Sequence, residues 1–289
     1  VQIAIVGLGE HGTALAQVFA IGGDAVLLVD TAEHTLRRAL GQISQGLGRM
    51  AQQGRLTALA ARRARRVFTL STDLARCAEA DLVLEALPDR MDAKQTLFRA
   101  LDDLVRPDAV LATTAAALSV TQIAATTRYP ERVIGLHVWR PAQRSEIIEL
   151  VRTPITRQDV LDVATEWVQR AHKRPIVLED SPGWITNRLA QTYFGEALLL
   201  LENGDTLDAP TIDRLLEATG FELGPFRQMD ALGIERVLAV AQALFEATFH
   251  QTAHPPHPRL VRMTQAGLTG RKSTRGGFYP PAPTREQRA

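Results

Sequence analysis

The sequence predicts an α/β domain built on a mostly parallel sheet, followed by an all-helical domain. Short apolar runs alternate with longer stretches of helical spacing through the first half of the chain. The turn Asp180-Ser181-Pro182-Gly183 then punctuates the sequence. Beyond it the periodic segments are helical.

The elements follow in order. Gln2–Val6 is a strand, Thr13–Ile21 a helix and Ala25–Val29 a second strand that ends in front of Asp30. The stretch Thr31–Arg66 is rich in Ala, Arg, Leu and Gln, all good helix formers, and reads as one helix or a helical pair projecting from the sheet. Its basic end (Arg62, Arg63, Arg65, Arg66) reads as a solvated helix face, the alternative being a docking patch for the phosphates of a carrier. Leu82–Ala86, Val110–Thr113 and Val133–Leu136 are further strands, separated by helical stretches such as Lys94–Leu104 and Thr121–Thr127. After the turn come helices over Ile185–Glu202, Ala209–Thr219 and Gly233–Phe249, with loops at Gly220–Pro225 and His254–Pro258. The expected division is residues 1–180 and residues 181–289, with Pro280–Ala289 as a frayed tail.

Composition narrows the function. The chain has 289 residues, 45% of them apolar, which suits two folded domains and argues against disorder. A net charge of +1 provides no global field for nucleic acid or an anionic membrane. Cys77 is the single cysteine, so no intrachain disulfide or thiolate metal cluster can form, as suits a reducing, cytoplasmic setting. The apolar start Val1–Val6 is too short for a membrane span and lacks the basic opening of a signal peptide. Ala197–Leu201 is bounded by Glu196 and Glu202 and reads as the buried face of a helix. In His254-Pro255-Pro256-His257-Pro258 the prolines indicate a rigid loop, and no metal is expected.

Gly7-Leu8-Gly9-Glu10-His11-Gly12 is a G-x-G-x-x-G motif between a predicted strand and a predicted helix. Gly7 serves the tight turn, Gly9 the approach of backbone to a pyrophosphate, and Gly12 close helix–strand packing. Asp30 stands at the end of the second strand, where a carboxylate bonds ribose hydroxyls and repels a 2′-phosphate. The expectation is therefore a Rossmann-type domain binding NAD, although Arg37 and Arg38 lie nearby. The alternative for Asp30 is a helix cap or turn.

Gly135-Leu136-His137-Val138-Trp139-Arg140-Pro141 resembles the G-x-H-F-F-N-P segment of the 3-hydroxyacyl-CoA dehydrogenase family. Glu149 follows at the family's spacing within Ile147-Ile148-Glu149-Leu150-Val151. Asp180-Ser181-Pro182-Gly183-Trp184-Ile185-Thr186-Asn187-Arg188 resembles its D-S-P-G-F-x-x-N-R. The resemblance extends from the glycine motif to Gly270-Arg271-Lys272 and Gly277-Phe278-Tyr279. It implies oxidation of a secondary alcohol of S configuration, with His137 as base and Glu149 orienting it. This chemistry suits imidazole, which titrates near neutral pH, and a carboxylate that fixes its tautomer. The resemblance further implies that Asn187 bonds substrate and His137, that Asp89 and Lys94 serve the nicotinamide end of the cofactor, that the site lies between the domains, and that the chain forms a homodimer. Apolar faces around Leu198–Leu201 and Val237–Phe245 suit such a dimer or the domain's own core. For Lys94 the alternative is a surface residue in the first turn of its helix.

Two departures fall on the substrate side. The family's Asn three residues after the His is Arg140 here, and its N-T-S-S-L segment reads Thr114-Ala115-Ala116-Ala117-Leu118, so Ala116 replaces a substrate-binding serine. Arg140 adds a charged fork of donors that suits a carboxylate or phosphate. Three readings stay open: a 3-hydroxyacyl thioester on CoA or a carrier, with a polar or acidic acyl group; a free hydroxy acid paired with Arg140; or an NAD-binding protein with little catalysis. The Gly276-Gly277 pair is displaced from the family's K-x-G-x-G-F-Y, and the sequence offers no reason for it.

Overall fold

The computed structural model describes residues 1–203, 207–251 and 255–281. The chain separates into two compact units, Val1–Ser181 and Pro182–Ala289.

The first unit holds an eight-stranded sheet. Its strands are β1 (Gln2–Val6), β2 (Ala25–Val29), β3 (Phe68–Ser71), β4 (Leu82–Glu85), β5 (Val110–Thr113), β6 (Val133–His137), β7 (Ile147–Arg152) and β8 (Arg174–Glu179). They lie in the order β3-β2-β1-β4-β5-β6-β7-β8, and every neighbouring pair is parallel except β6–β7. The central strands are apolar throughout because both faces of the sheet are covered: Ala4, Ile5, Leu28 and Leu84 are fully buried. The expected runs become β1, β2, β4, β5 and β6.

Strands β3, β7 and β8 escape a reading by apolar runs. β3 is an edge strand with exposed positions. β8, the other edge, opens on Arg174-Pro175, and proline is tolerated there because an edge strand has one unpaired side.

Helices cover the sheet: α1 (Glu10–Ile21), α2 (Glu33–Gln52), α3 (Ala58–Ala64), α4 (Met91–Leu104), α5 (Val120–Ala124) and α6 (Gln158–Arg170). The segment after Asp30 is thus a helical pair. Helix α2 buries Leu36, Ala39, Ile43 and Leu47, spaced three or four apart, and turns its remaining face outward. Arg62 and Arg63 are exposed on α3, while Arg65 donates to the Ser44 carbonyl of α2 at 3.0 Å.

The second unit comprises α7 (Thr186–Asn203), α8 (Ala209–Ala218), α9 (Pro225–Leu232), α10 (Ile234–Ala247) and α11 (Pro258–Gln265). Helices α9 and α11 correct the sequence reading, which took their opening prolines as the ends of loops. Pro225 and Pro258 sit in the first turn, where a missing N–H costs no hydrogen bond. His257 caps α11 by accepting the Arg259 N–H at 3.2 Å, and its other ring nitrogen faces Glu202 at 3.4 Å. His254 and the tail from residue 282 lie outside the described residues. Leu198, Val237 and Leu238 are buried in this unit's own core, and Leu244 is buried as well, whereas Leu189, Leu199 and Leu200 are exposed on α7. Among the described residues no helix is long and apolar enough to cross a membrane, and no group of side chains is arranged to hold a metal ion.

Candidate active site

The parallel strands end together at one edge of the sheet, and most candidate residues of the first unit lie there. At the end of β1, Gly7 adopts a positive φ of 94°, a conformation open to glycine, and its N–H donates to the Val29 carbonyl at 3.0 Å. A Cβ on Gly12 would collide with the Gly7 carbonyl oxygen and touch the Ala86 methyl at 3.2 Å. A Cβ on Gly9 would meet no protein atom within 4 Å. The open space at Gly9 therefore fits a group outside the protein, as a pyrophosphate approaching the backbone at the start of α1 requires. Asp30 follows β2 and accepts the Leu8 N–H at 2.9 Å and the Ala32 N–H at 3.4 Å. Its carboxylate ties the end of β2 to the glycine loop. Ala32, not Asp30, caps α2.

At the ends of β4 and β5 lies a buried ionic network. Glu85 and Thr113 are register partners, and the Thr113 hydroxyl donates to Glu85 Oε2 at 2.6 Å. Lys94 of α4 donates to both Glu85 oxygens, at 2.7 and 2.8 Å, and to the Leu87 carbonyl at 3.2 Å. Glu85 also accepts the Leu87 N–H at 2.5 Å. Asp89 stands 3.5 Å from Lys94 Nζ and accepts the Ala116 N–H at 3.2 Å. The reading of Lys94 as a surface residue is overturned: its side chain is fully buried because Glu85, equally buried, supplies the countercharge. Glu85 was missed, though an acid closing the apolar run Leu82-Val83-Leu84 was its signal.

His137 ends β6 and Glu149 lies in β7. The antiparallel register pairs them directly, which explains the spacing between them. His137 Nδ1 lies 2.6 Å from Glu149 Oε2, and both side chains are buried. With the Nδ1 proton directed at the carboxylate, Nε2 is the basic ring nitrogen. Gly135 is required two residues earlier, since a Cβ there would press on Val120 and Val151 at 2.9 Å. Arg140 follows the strand, half-buried. The loop that continues from it to β7 is tied by Lys173, whose ammonium donates to the Ser145 carbonyl at 2.5 Å. Burial pushes the Lys173 ammonium below the usual lysine range.

Ala116 is fully buried in the segment joining β5 to α5. Asp180 holds the far end of that segment: it accepts the Ser119 hydroxyl at 2.9 Å and the Thr121 N–H and hydroxyl, each at 2.7 Å. The sequence marked Asp180 as part of a boundary and of the Asp180–Arg188 motif, without assigning it this anchoring role.

In the second unit Asn187 is buried in the first turn of α7. A Cβ on Gly183, just upstream, would collide with Leu244. The displaced glycine pair finds its reason at Asp230 of α9. Asp230 accepts the N–H groups of Phe278 and Tyr279, at 2.9 and 3.0 Å. A Cβ on Gly277 would strike its carboxylate, and one on Gly270 would lie 2.6 Å from its carbonyl oxygen. Asp213 completes the anchor, accepting the Tyr279 hydroxyl at 2.6 Å.

Comparison with known proteins agrees with this arrangement. The family profile described as "3-hydroxyacyl-CoA dehydrogenase, NAD binding domain" matches residues 2–181, and the one for the C-terminal domain matches residues 183–279. The chain is 33% identical over 278 residues to the 3-hydroxyadipyl-CoA dehydrogenase of Escherichia coli K12, covering 96% of this chain and 58% of that protein. It is 30% identical over 279 residues to a probable 3-hydroxybutyryl-CoA dehydrogenase of Deinococcus radiodurans, covering 96% and 99% of the two. The solved structure of Mycobacterium tuberculosis FadB2 superposes with a TM-score of 0.90 at 30% identity, over 97% of this chain and 98% of that one. Glycine loop, strand order and both profiles agree: the chain belongs to the 3-hydroxyacyl-CoA dehydrogenase family of NAD-dependent oxidoreductases.

Proposed function

We propose that the protein interconverts an (S)-3-hydroxyacyl thioester, carried on CoA or a carrier protein, and its 3-oxo form. The observation that carries this reading is the buried His137–Glu149 pair, 2.6 Å apart, at the same edge of the sheet as the glycine loop. In the oxidative direction the C3–H bond breaks and its electron pair leaves as hydride, while the C3 hydroxyl gives its proton to His137 Nε2. A bound NAD would supply the acceptor for that hydride. Glu149 holds the imidazole in the tautomer that can take the proton and stabilises the imidazolium that results. Gly7, Gly9, Gly12 and Asp30 hold the dinucleotide, and Asn187 assists at the substrate oxygen, as the family resemblance implies. That resemblance also favours a homodimer, for which Leu189, Leu199 and Leu200 of α7 offer apolar surface.

Ala116 brings no hydroxyl to the substrate, and Arg140 brings a guanidinium. Together they favour a polar or acidic acyl group. The name of the E. coli relative points the same way, since an adipyl chain ends in a carboxylate. The second reading, a free hydroxy acid paired with Arg140, rests on the same guanidinium. NADH oxidation with acetoacetyl-CoA, an acidic 3-oxoacyl thioester and free 3-oxo acids separates the two. The thioester reading expects the acidic thioester to be the best substrate. It also expects Arg140→Asn to lower kcat/KM on that compound about ten- to hundred-fold, the worth of a charge-assisted hydrogen bond, while improving turnover of acetoacetyl-CoA. Activity confined to free acids moves the assignment to the second reading. Loss of all activity in Arg140→Asn makes Arg140 part of the core machinery and overturns its role in selectivity.

A further inference from the structure

Lys94 is committed to the protein. Its ammonium, completely buried, is held by two oxygens of Glu85 and the Leu87 carbonyl. This neutralises Glu85, which is equally buried. The second carboxylate of the group, Asp89, is about one third exposed and reaches Lys94 only at 3.5 Å. Two carboxylates thus share one ammonium, leaving a net charge of about −1 whose outward member is Asp89. The neighbouring Arg90 does not cancel it, because Arg90 is paired with Asp92 at 2.5 Å in an exposed ion pair.

The position of this charge follows from the sheet. The strand order reverses between β1 and β4, and in such sheets a dinucleotide straddles that point at the carboxyl ends of the strands. Asp30, after β2, takes the adenosine side. The loop carrying Asp89 follows β4 on the opposite side of β1, so it belongs to the nicotinamide half. The nicotinamide ring is cationic in NAD⁺ and neutral in NADH. A fixed negative charge beside it favours the oxidised form, strongly so where buried surroundings weaken screening.

We infer that the Glu85–Lys94–Asp89 triad makes the protein discriminate between the two oxidation states of its cofactor, with Asp89 as the discriminating charge and Lys94 as a positioning residue that aims it. The inference rests on the NAD-dependent reading above. The Ala116 N–H fixes the other side of the Asp89 carboxylate, so it is held by Lys94 of α4 and by the segment that joins β5 to α5. A carboxylate merely bracing two loops would support both cofactor forms alike, and this difference allows a test.

The experiment measures dissociation constants of NAD⁺ and NADH for the whole protein by calorimetry, without substrate. Asp89→Asn removes the charge while keeping the shape at a partly exposed position. It is expected to weaken NAD⁺ about ten-fold while changing NADH by less than about two-fold, as loss of one nearby unit charge requires. Asp89→Glu, which restores the charge on a longer stem, is expected to return the ratio to within about three-fold of the original. Equal weakening of both forms, or an unchanged ratio, overturns the inference and leaves the cofactor assignment intact. Failure of the unaltered protein to bind either form overturns both.

Discussion

At the residue scale the chemistry rests on how burial is compensated. Glu149 and His137 are almost inaccessible, and an unpaired carboxylate in such a place would carry a large desolvation cost. Each is acceptable because the other is there, and the same pairing leaves Nε2 as the nitrogen that would act as base in the proposed reaction. Glu149→Gln keeps volume and hydrogen-bonding capacity but removes the charge, and its amide can donate to Nδ1 and so favour the wrong tautomer. The expected result is a fall in kcat of about 10²- to 10⁴-fold with little change in the KM for NADH. A parallel loss of NADH affinity would mark Glu149 as structural instead. The sequence pointed to this pair because its types and spacing match those of the family that the chain resembles. It concealed Glu85, whose partners Thr113 and Lys94 are brought to it by strand register and helix placement, and it left Lys94 with a surface alternative that burial excludes.

At the scale of elements, local signals sufficed where an element is apolar or periodic and failed where its start resembles a stop. Proline at the first turn of α9 and α11 is one such case. The anchoring of the loop at residues 270–279 is another, because its reason lies in Asp230 on a distant helix. Burial raises the Asp230 carboxyl above the usual carboxylate range. The two backbone N–H groups oppose that rise without cancelling it, and the charge of Asp213 adds to it. A raised folded-state value favours the protonated form in the folded protein. The stabilisation it brings is complete below about pH 4, the unfolded value, and is lost as pH rises through the raised folded value. Urea midpoints measured upward from about pH 4 should therefore carry a falling component that Asp230→Asn removes. Identical pH dependence in both proteins would contradict this assignment.

At the scale of the molecule, one topological fact organises the first unit. Parallel strands deliver the glycine loop, Asp30, Asp89, Ala116 and His137 to a single edge of the sheet, and the antiparallel β7 then places Glu149 beside His137. The strand–helix alternation made this architecture readable from the sequence, since a parallel sheet requires a crossover between strands. The edge strands β3 and β8 were not readable, because their pattern is set by partial exposure. In the proposed reaction His137 moves the proton of an NAD-dependent oxidoreduction. The most direct test of this role is NADH oxidation with an acidic 3-oxoacyl thioester and with acetoacetyl-CoA, by the unaltered protein and by His137→Gln, alongside NADH binding by both. The prediction is turnover by the unaltered protein and a loss of about 10²- to 10⁴-fold in His137→Gln, with NADH affinity retained. A near-normal rate in His137→Gln would contradict it.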